Sequence, residues 1–316
     1  METVTLGTNG PTVAPLGIGT WAWGDTLFWD YGKEYDASEL QAAFKTALEL
    51  GIQFFDTAEI YGFGESERLL GQFMQQTNQP VQIATKYFPL PWRFTEQAVA
   101  DTLTASLERL QQSTVTLYQV HQPFSFFMGQ KTLMKALADE VQRGRLLSVG
   151  VSNYSAAQMR EAHHLLAEQG VSLAVNQVQY SLLSRQIEQN GILETARELG
   201  ITILAYSPLA QGLLTGKYMP EDYTPPTGAR RLNPRFSRRG LEKLAPVIKL
   251  LKRVGDQHGK TPAQVALNWL IAQGNVIPIP GAKNSAQVAQ NAGALDWSLS
   301  PEEQAEIDQA TRPWRF

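Results

Sequence analysis

The feature of this sequence that most constrains its fold is a repeated pattern, in which an amphipathic helical segment ends at a glycine and a β-branched apolar segment begins within a few residues. Glycine adopts the left-handed conformation that follows a helix C-terminus at little cost, and short apolar segments are typical of buried parallel strands. The pattern occurs at Gly51, Gly144, Gly170, Gly200 and Gly274. The predicted repeating unit is therefore helix, turn and strand.

The predicted strands are numerous enough for a closed barrel. They begin near Leu16, Ile52, Val81, Thr116, Leu146, Leu173, Ile201 and Asn275. Predicted helix starts agree with these strands. Each has a candidate N-cap residue that is followed three positions later by Glu or Gln, and these N-cap residues are Asp36, Ser155, Thr261 and Ser300. Eight such units predict an α/β fold, a single (β/α)8 TIM barrel, although the pattern alone also allows a doubly wound open sheet.

Two segments fall outside the repeat. Residues 3–13 contain an Asn-Gly pair between short β-branched runs, which predicts an N-terminal β-hairpin before the first barrel strand. The last two predicted strands are far apart, which predicts a long insertion after strand 7. No linker or low-complexity segment interrupts the chain, so residues 1–316 are expected to form one domain.

Composition excludes several classes of protein. The hydrophobic fraction of 43% and the charged fraction of 18% are those of an ordinary globular protein, and the absence of cysteine excludes disulfides and thiolate metal sites. The net charge of −3 gives no basic surface for nucleic acid, and no apolar run is long enough to span a membrane. We expect a cytoplasmic protein with no nucleic-acid or membrane partner and no metal site. The sequence gives no indication of oligomeric state.

Polar residues follow the second, third and fourth predicted strands. Asp56 ends the second, with Tyr61 five residues later, while Lys86 and His121 end the next two. Taken singly, each has an ordinary structural explanation as a cap, a solvated lysine, a core histidine or a packed aromatic residue. Because active sites of parallel barrels lie on the loops after the strands, the four side chains are expected to converge on one mouth.

Together these four residues have a coherent chemical use. A buried Lys86 needs a compensating charge, which Asp56 would provide. The ammonium would lower the pKa of Tyr61, which would donate a proton to a carbonyl oxygen while His121 donates a hydrogen bond to the same oxygen. Such a reduction needs a source of electrons, and a nicotinamide cofactor is the simplest complement.

The sequence resembles the aldo-keto reductase superfamily over nearly its whole length, most closely the plant-plastid and cyanobacterial members. The motifs that carry the resemblance are LGIGTWAWGDTLFW at 16–29, DTAEIYG at 56–62, VHQP at 120–123, GVSN at 150–153, NQVQY at 176–180, YSPLAQGLLTGKY at 206–218 and IPGAKNSAQVAQNAGAL at 279–295. The resemblance implies an NADPH-dependent reductase of aldehydes and ketones. It places Asp56, Tyr61, Lys86 and His121 in the catalytic tetrad.

The same resemblance implies a set of residues that bind NADPH across the barrel mouth. Lys283 is the candidate for the adenosine 2′-phosphate, and the helix that starts beside it offers free N–H groups to an anion. The remaining candidates lie near the nicotinamide, the pyrophosphate or the adenosine. They are Gly19, Thr20, Trp21, Asn153, Gln177, Tyr206, Ser207, Leu209, Gln211, Gly212, Lys217, Ile279, Gly281, Ser285, Gln287, Gln290 and Asn291.

Aromatic residues are concentrated in three segments after the first, third and fourth strands. They favour an apolar pocket for a small-molecule carbonyl substrate, with Trp23, Trp92 and Phe124 as candidate lining residues. Five arginines lie in residues 228–240, within the predicted insertion, on the side of the barrel that the cofactor would occupy. They indicate either a solvated loop or a segment that folds over the cofactor.

Two other functions remain open at this stage. A cofactor-binding regulatory subunit, similar to the potassium-channel β subunits, would share the fold and the tetrad. An isomerase or aldolase would instead use Lys86 to form a Schiff base with its substrate. Turnover of an aldehyde with NADPH separates the reductase from the regulatory subunit, and borohydride trapping on Lys86 would identify the Schiff-base enzyme.

Overall fold

Eight parallel strands form one sheet in this computed structural model, which describes residues 2–124, 128–225, 230 and 233–315. Neighbours in the sheet follow the order of the chain, as expected for repeated strand–helix units. After an N-terminal hairpin of β1 (Val4–Thr5) and β2 (Thr12–Val13), the barrel strands are β3 (Ile18–Gly19), β4 (Phe54–Asp56), β5 (Gln82–Tyr87), β6 (Leu117–Val120), β7 (Val149–Ser152), β8 (Leu173–Gln179), β9 (Thr202–Tyr206) and β10 (Val276–Pro278).

Backbone hydrogen bonds connect the first and last barrel strands. The amide of Gly17 donates to Pro278 O across 3.1 Å, and the amide of Gly19 donates to Pro280 O across 3.0 Å. A parallel bridge also joins Gly19 to Gly281. The sheet therefore closes on itself, and the barrel prediction is confirmed over the open doubly wound sheet.

Helices separate the strands and pack their apolar faces on the outside of the sheet. All four predicted capping boxes are present, at Asp36, Ser155, Thr261 and Ser300. The helices are α1 (Ala37–Glu49), α2 (Glu65–Met74), α3 (Glu96–Leu110), α4 (Gln130–Gln142), α5 (Ala156–Ala167), α6 (Ile192–Glu198), α7 (Arg238–His258), α8 (Pro262–Ile271), α9 (Ser285–Ala292) and α10 (Pro301–Thr311).

The N-terminal hairpin closes the amino end of the barrel. Leu6 and Val13 are buried in the same apolar cluster as side chains from the barrel interior. The amide of Gly7 donates to Thr202 Oγ1 across 2.9 Å, and a Cβ at Gly7 would lie 2.8 Å from Ala174 Cα. The predicted hairpin is confirmed, with a loop longer than the Asn-Gly pair. Because this end is closed, ligands can approach the strands from their carboxyl ends.

The connection from β9 to β10 contains α7 and α8, preceded by 3₁₀ helices at Ala210–Thr215 and Pro234–Phe236. This is the region of the predicted insertion after strand 7. Residues 226–229, 231 and 232, which include part of its arginine-rich segment, lie outside the described residues.

Candidate active site

The sheet brings the four predicted catalytic residues to one end of neighbouring strands. Asp56 is the last residue of β4, and Lys86 lies near the end of β5, two residues beyond the Ala84 that pairs with Asp56. Tyr61 begins the 3₁₀ helix Tyr61–Gly64 after β4, and His121 follows directly after β6. Parallel register thus places all four at the carboxyl end of the barrel.

Lys86 is the centre of the cluster and is fully buried. Its Nζ atom donates to Asp56 Oδ1 across 2.5 Å and to the carbonyl oxygen of Thr57 across 2.8 Å. It also lies 3.5 Å from the hydroxyl oxygen of Tyr61. Because the chain holds this ammonium between a carboxylate and a phenol, its charge acts directly on the Tyr61 hydroxyl.

The second oxygen of the Asp56 carboxylate is held by two amide side chains. Gln177 Nε2 donates to Asp56 Oδ2 across 2.7 Å, and Gln119 Nε2 donates to the same oxygen across 3.1 Å. Both glutamines are buried. Gln177, which the resemblance places beside the nicotinamide, therefore also orients the carboxylate that binds Lys86.

The environment shifts the pKa values of the lysine and the tyrosine upwards. Burial alone would lower the pKa of Lys86, but the charge of Asp56 and the contact with Tyr61 raise it, so the side chain stays an ammonium. Burial raises the pKa of Tyr61, and the opposing effect of Lys86 does not offset it. The predicted lowering of the Tyr61 pKa is therefore wrong here, because desolvation outweighs the neighbouring charge. Tyr61 is held in its protonated form.

His121 contacts the tyrosine edge-on and is neutral near physiological pH. The two ring centroids are 5.7 Å apart at an interplanar angle of 82°. Burial, aided by the charge of Lys86, lowers the pKa of His121 to about 3. Its Nδ1 atom is buried and has no hydrogen-bond partner among the described residues. A neutral imidazole next to Tyr61 is suited to hydrogen bonding with a substrate oxygen.

An ion pair that the sequence did not suggest holds the loop after β5 against the loop that carries Tyr61. Arg93 binds Glu59 with both guanidinium terminal nitrogens, at 2.5 and 2.9 Å. Glu59 Oε1 also accepts a hydrogen bond from the backbone N–H of Phe88 across 2.7 Å. The ring centroids of Phe88 and His121 are 5.5 Å apart. Glu59, which lies within the DTAEIYG motif, thus positions the aromatic neighbour of His121.

A cavity of about 1330 Å³ opens in front of this cluster. Asp56, Tyr61 and His121 line it, whereas Lys86 lies behind its wall. Ser285, at the first position of α9, does not line it. The other predicted cofactor residues do: Gly19, Thr20, Trp21, Asn153, Gln177, Tyr206, Ser207, Leu209, Gln211, Gly212, Lys217, Ile279, Gly281, Lys283, Gln287, Gln290 and Asn291.

Several residues that line the cavity have positive φ values, which are unusual for residues other than glycine. Asn153, Ser207 and Gln211 have positive φ values of 62°, 51° and 59°. Such values are costly and are often found at functional sites. The Tyr206 hydroxyl donates to Asn153 Oδ1 across 3.1 Å, so two lining residues at the carboxyl ends of β7 and β9 are connected.

Two cations meet at the aromatic ring of Trp29, on the loop after β3 that lines the cavity. Lys283 Nζ lies 5.1 Å from the centre of the Trp29 ring and 4.2 Å from that of Tyr35, and it donates to Trp29 O across 3.1 Å. The Arg230 guanidinium lies 5.7 Å from the Trp29 ring. Burial, together with the charge of Arg230, lowers the pKa of Lys283 although Glu34 opposes the shift.

Trp29 was not among the predicted site residues, and no local pattern distinguishes it from the other aromatic residues of its loop. Its Nε1 atom is buried without a hydrogen-bond partner among the described residues, and the residue lines the cavity. An unused N–H donor beside two cations is an environment that favours an anion.

The three predicted substrate residues are placed differently. Trp23 is fully buried: its Nε1 donates to Ala282 O across 2.8 Å, and its ring packs on Phe55 and Phe73. Its assignment to the pocket is therefore wrong, because it is a core residue. Trp92 and Phe124 are 66% and 43% exposed on the loops after β5 and β6, and neither is among the residues that line the cavity.

Comparison with known proteins connects this geometry to a family. Residues 15–312 match the model of the aldo/keto reductase family. The chain is 41% identical over 313 residues to a chloroplastic pyridoxal reductase of Arabidopsis thaliana, covering 95% of this chain and 84% of that protein.

Solved structures agree with this match. A glycerol dehydrogenase from Gluconobacter oxydans is 28% identical with a TM-score of 0.85, covering 99% of this chain and 95% of its own. An aldo-keto reductase from Klebsiella pneumoniae, solved in complex with NADPH, is 28% identical with a TM-score of 0.76, covering 100% of this chain and 96% of its own. Fold, site and similarity together show that the chain belongs to the aldo/keto reductase family of NAD(P)H-dependent oxidoreductases.

Proposed function

We propose that the protein reduces aldehydes and ketones to alcohols with NADPH, and that Tyr61 donates the proton. The observation that carries this proposal is the placement of Tyr61, which lines the cavity and whose hydroxyl oxygen lies 3.5 Å from the buried ammonium of Lys86. A protonated phenol backed by a cation is a suitable donor to an oxygen that gains negative charge.

The cavity fits NADPH by its size and by its donors. Lys217, Arg230 and Lys283 line the cavity and would bind the phosphates, and the Nε1 of Trp29, which has no acceptor among the described residues, would add a neutral donor. Asn153 and Gln177 lie near the catalytic residues and would hold the nicotinamide carboxamide. The Klebsiella pneumoniae relative, which was solved with NADPH, supports the same cofactor.

Held by these residues, NADPH would supply the hydride that the carbonyl carbon accepts. Tyr61 then transfers its hydroxyl proton to the carbonyl oxygen, so that the carbonyl becomes an alcohol and the phenol becomes a phenolate. Lys86 stabilises that phenolate, and Asp56 keeps Lys86 charged and in place. His121, in its neutral form, donates a hydrogen bond that orients the carbonyl oxygen.

An aromatic aldehyde is the substrate class that we favour, with pyridoxal as the first candidate. Trp21, Phe28 and Phe63 line the cavity near Tyr61 and provide flat apolar contacts. The 41% identity to a pyridoxal reductase supports this choice.

The alternatives have weaker support. Lys86 is fully buried and paired with Asp56, and its raised pKa keeps it an ammonium, which is unsuited to Schiff-base formation. A regulatory subunit similar to the potassium-channel β subunits would bind NADPH with little turnover.

We further propose that residues 1–316 act as one domain, with the segment after strand 7 as an insertion. No described helix has the length and apolar character needed to cross a bilayer. The cytoplasmic location stays a prediction.

The test is a turnover assay with purified protein, pyridoxal and benzaldehyde, in which each of NADPH and NADH is supplied in turn. We expect NADPH to be oxidised in step with formation of the corresponding alcohol, identified by chromatography. Tight NADPH binding without any alcohol from a broad panel of aldehydes and ketones would refute the proposal and support the regulatory subunit.

A further inference from the structure

The interior of the barrel changes from apolar to polar between two neighbouring layers of side chains. Three alternate strands, β4, β6 and β8, each contribute one side chain to the apolar cluster inside the barrel, and these are Phe54, Leu117 and Val175. Two residues further along the same strands are Asp56, Gln119 and Gln177. Side chains two positions apart point to the same face of a strand, and alternate strands share a layer in barrels of this kind. The carboxylate and the two amides therefore form one polar layer.

Asp56 determines the orientation of both amide groups in this layer. A carboxylate oxygen can only accept hydrogen bonds, so an amide beside it must present its NH₂ group. Gln177 Nε2 lies 2.7 Å from Asp56 Oδ2, and Gln119 Nε2 lies 3.1 Å from the same atom. Turning either amide around would bring two acceptor oxygens together, which is unfavourable in a buried position.

Gln119 then occupies the second hydrogen of the Gln177 amide. Because its own Nε2 is bound to Asp56, its Oε1 is available as an acceptor, and Gln177 Nε2 donates to it across 3.2 Å. Both hydrogens of the Gln177 NH₂ group are thus bound inside the barrel. Gln177 Oε1 has no hydrogen-bond partner among the described residues, so this acceptor is left for a ligand in the cavity that Gln177 lines.

Gln119 itself is fully buried and does not line the cavity. Its position depends on Gly150, the residue of β7 that pairs with it in register. A Cβ atom at Gly150 would lie 3.0 Å from Gln119 Cγ, closer than an ordinary van der Waals contact. The glycine of the GVSN motif therefore leaves the space that the Gln119 side chain occupies.

We infer that Gln119 is a positioning residue that makes the site recognise the cofactor carboxamide by its N–H group. It acts through Gln177, because it binds the second hydrogen of the Gln177 amide and leaves only the oxygen for the cofactor. The inference rests on the proposed function, since it requires a nicotinamide cofactor in this cavity. A cofactor with an acceptor but no donor at the carboxamide position would leave Gln177 Oε1 unpaired.

The test compares the binding of two reduced cofactors. Reduced 3-acetylpyridine adenine dinucleotide phosphate has a methyl group where NADPH has the amide nitrogen, so it keeps the carbonyl acceptor and lacks the donor. Calorimetric titration gives the Kd of each. We expect the wild-type protein to bind NADPH at least about tenfold more tightly than the acetylpyridine analogue, because an unpaired acceptor and a lost hydrogen bond both oppose the analogue.

The variant Gln119→Met tests whether Gln119 is the cause of this preference. Methionine is similar in length to glutamine but has no amide, so one N–H of Gln177 loses its acceptor and is free to turn towards the acetyl oxygen of the analogue. We expect the preference for NADPH over the analogue to fall by at least about threefold, as the change of one neutral hydrogen bond would produce. Gln119→Leu should give the same result and replaces Gln119→Met if that variant does not fold.

The matched control is Asn268→Leu, which removes a buried amide far from this layer. Asn268 lies on α8, and its Nδ2 donates to the carbonyl oxygens of Ala294 and Trp297 across 3.0 and 2.8 Å. Its loss should lower stability and leave the cofactor preference unchanged. Urea unfolding of each variant separates a loss of stability from a change in preference.

Equal Kd values for the two cofactors in the wild type, an unchanged preference in the Gln119 variants, or the same change in Asn268→Leu would overturn the inference. Each of these results would leave the proposed reductase intact. A wild-type protein that binds neither cofactor and forms no alcohol would overturn the proposed function and this inference with it.

Discussion

The Nζ atom of Lys86 donates to Asp56 Oδ1 across 2.5 Å, and the two side chains are 0% and 3% exposed. A buried ion pair of this kind is seldom a net source of stability, because removing both charges from water costs about as much as their attraction returns. The role of the Asp56–Lys86 pair in this site is to control the charge next to Tyr61. The carboxylate keeps an ammonium charged at 3.5 Å from the Tyr61 hydroxyl, where burial alone would favour neutral lysine.

Breaking this pair should destabilise the protein. Among the described residues, Lys86→Met leaves the buried Asp56 carboxylate with its two glutamine donors alone, and we expect a loss of roughly 3–5 kcal/mol in the free energy of unfolding. The double variant Asp56→Asn/Lys86→Met should lose less than the sum of the single variants, because it leaves no uncompensated charge. Urea unfolding measures the free energy of unfolding of the two single variants and the double variant, with Lys249→Met as an exposed control. A loss in the double variant equal to the sum of the two single losses would contradict the coupling.

Removing the Lys283 ammonium should change cofactor preference. If it binds the 2′-phosphate, Lys283→Ala should weaken NADPH binding by about one to two decades in Kd, because one charge-assisted hydrogen bond contributes roughly 1.5–3 kcal/mol. NADH lacks that phosphate and should bind almost as before. Fluorescence titration of both cofactors, with Lys249→Ala as control, measures the difference. Equal weakening of NADPH and NADH would place the lysine elsewhere on the cofactor.

Burial of His121 should make folding stability depend on pH. Its pKa is lowered to about 3 in the folded protein, whereas an unfolded histidine titrates near pH 6.5, so the unfolded chain binds a proton that the native state does not. Stability should therefore fall as the pH drops below about 6.5, by roughly 1–2 kcal/mol at about pH 5 from this residue alone. Above that range His121 contributes no pH dependence.

The variant His121→Gln should reduce this acid-induced loss, and His164→Gln, in an exposed position, should not. Urea unfolding at about pH 7.5 and about pH 5 measures the loss for each protein. Identical losses in the wild type and His121→Gln would show that the histidine is not held neutral.

The fold could be predicted from sequence because local signals and packing agree. The glycines at 51 and 144 adopt φ values of 77° and 74° past their helices, as their position in the repeat predicts. The capping boxes of Asp36 and Ser155 also form. Parallel strands then place their carboxyl ends together, so residues that follow different strands converge without any further signal.

The parts of the site that could not be predicted depend on side-chain direction and on the balance of opposing forces. Trp21 and Trp23 both lie in the aromatic segment after the first strand, yet the first lines the cavity and the second is buried against Phe55. The pKa of Tyr61 depends on whether burial or the charge of Lys86 has the larger effect, and only the three-dimensional structure gives burial. Trp29 meets Lys283 where the loops after the neighbouring strands β3 and β10 come together, and no local pattern indicates that contact.

The assignment of Tyr61 as proton donor is the central claim, and one comparison tests it most directly. The comparison uses the wild-type protein, Tyr61→Phe and the control Tyr223→Phe. Each receives saturating NADPH and saturating pyridoxal, or another aldehyde that the wild type reduces. The kcat for reduction and the Kd for NADPH are measured for all three proteins. We expect Tyr61→Phe to lower kcat by about 10² to 10⁴ while the Kd stays unchanged, because only general acid catalysis is removed. A Tyr61→Phe protein that keeps most of the wild-type kcat would contradict the account.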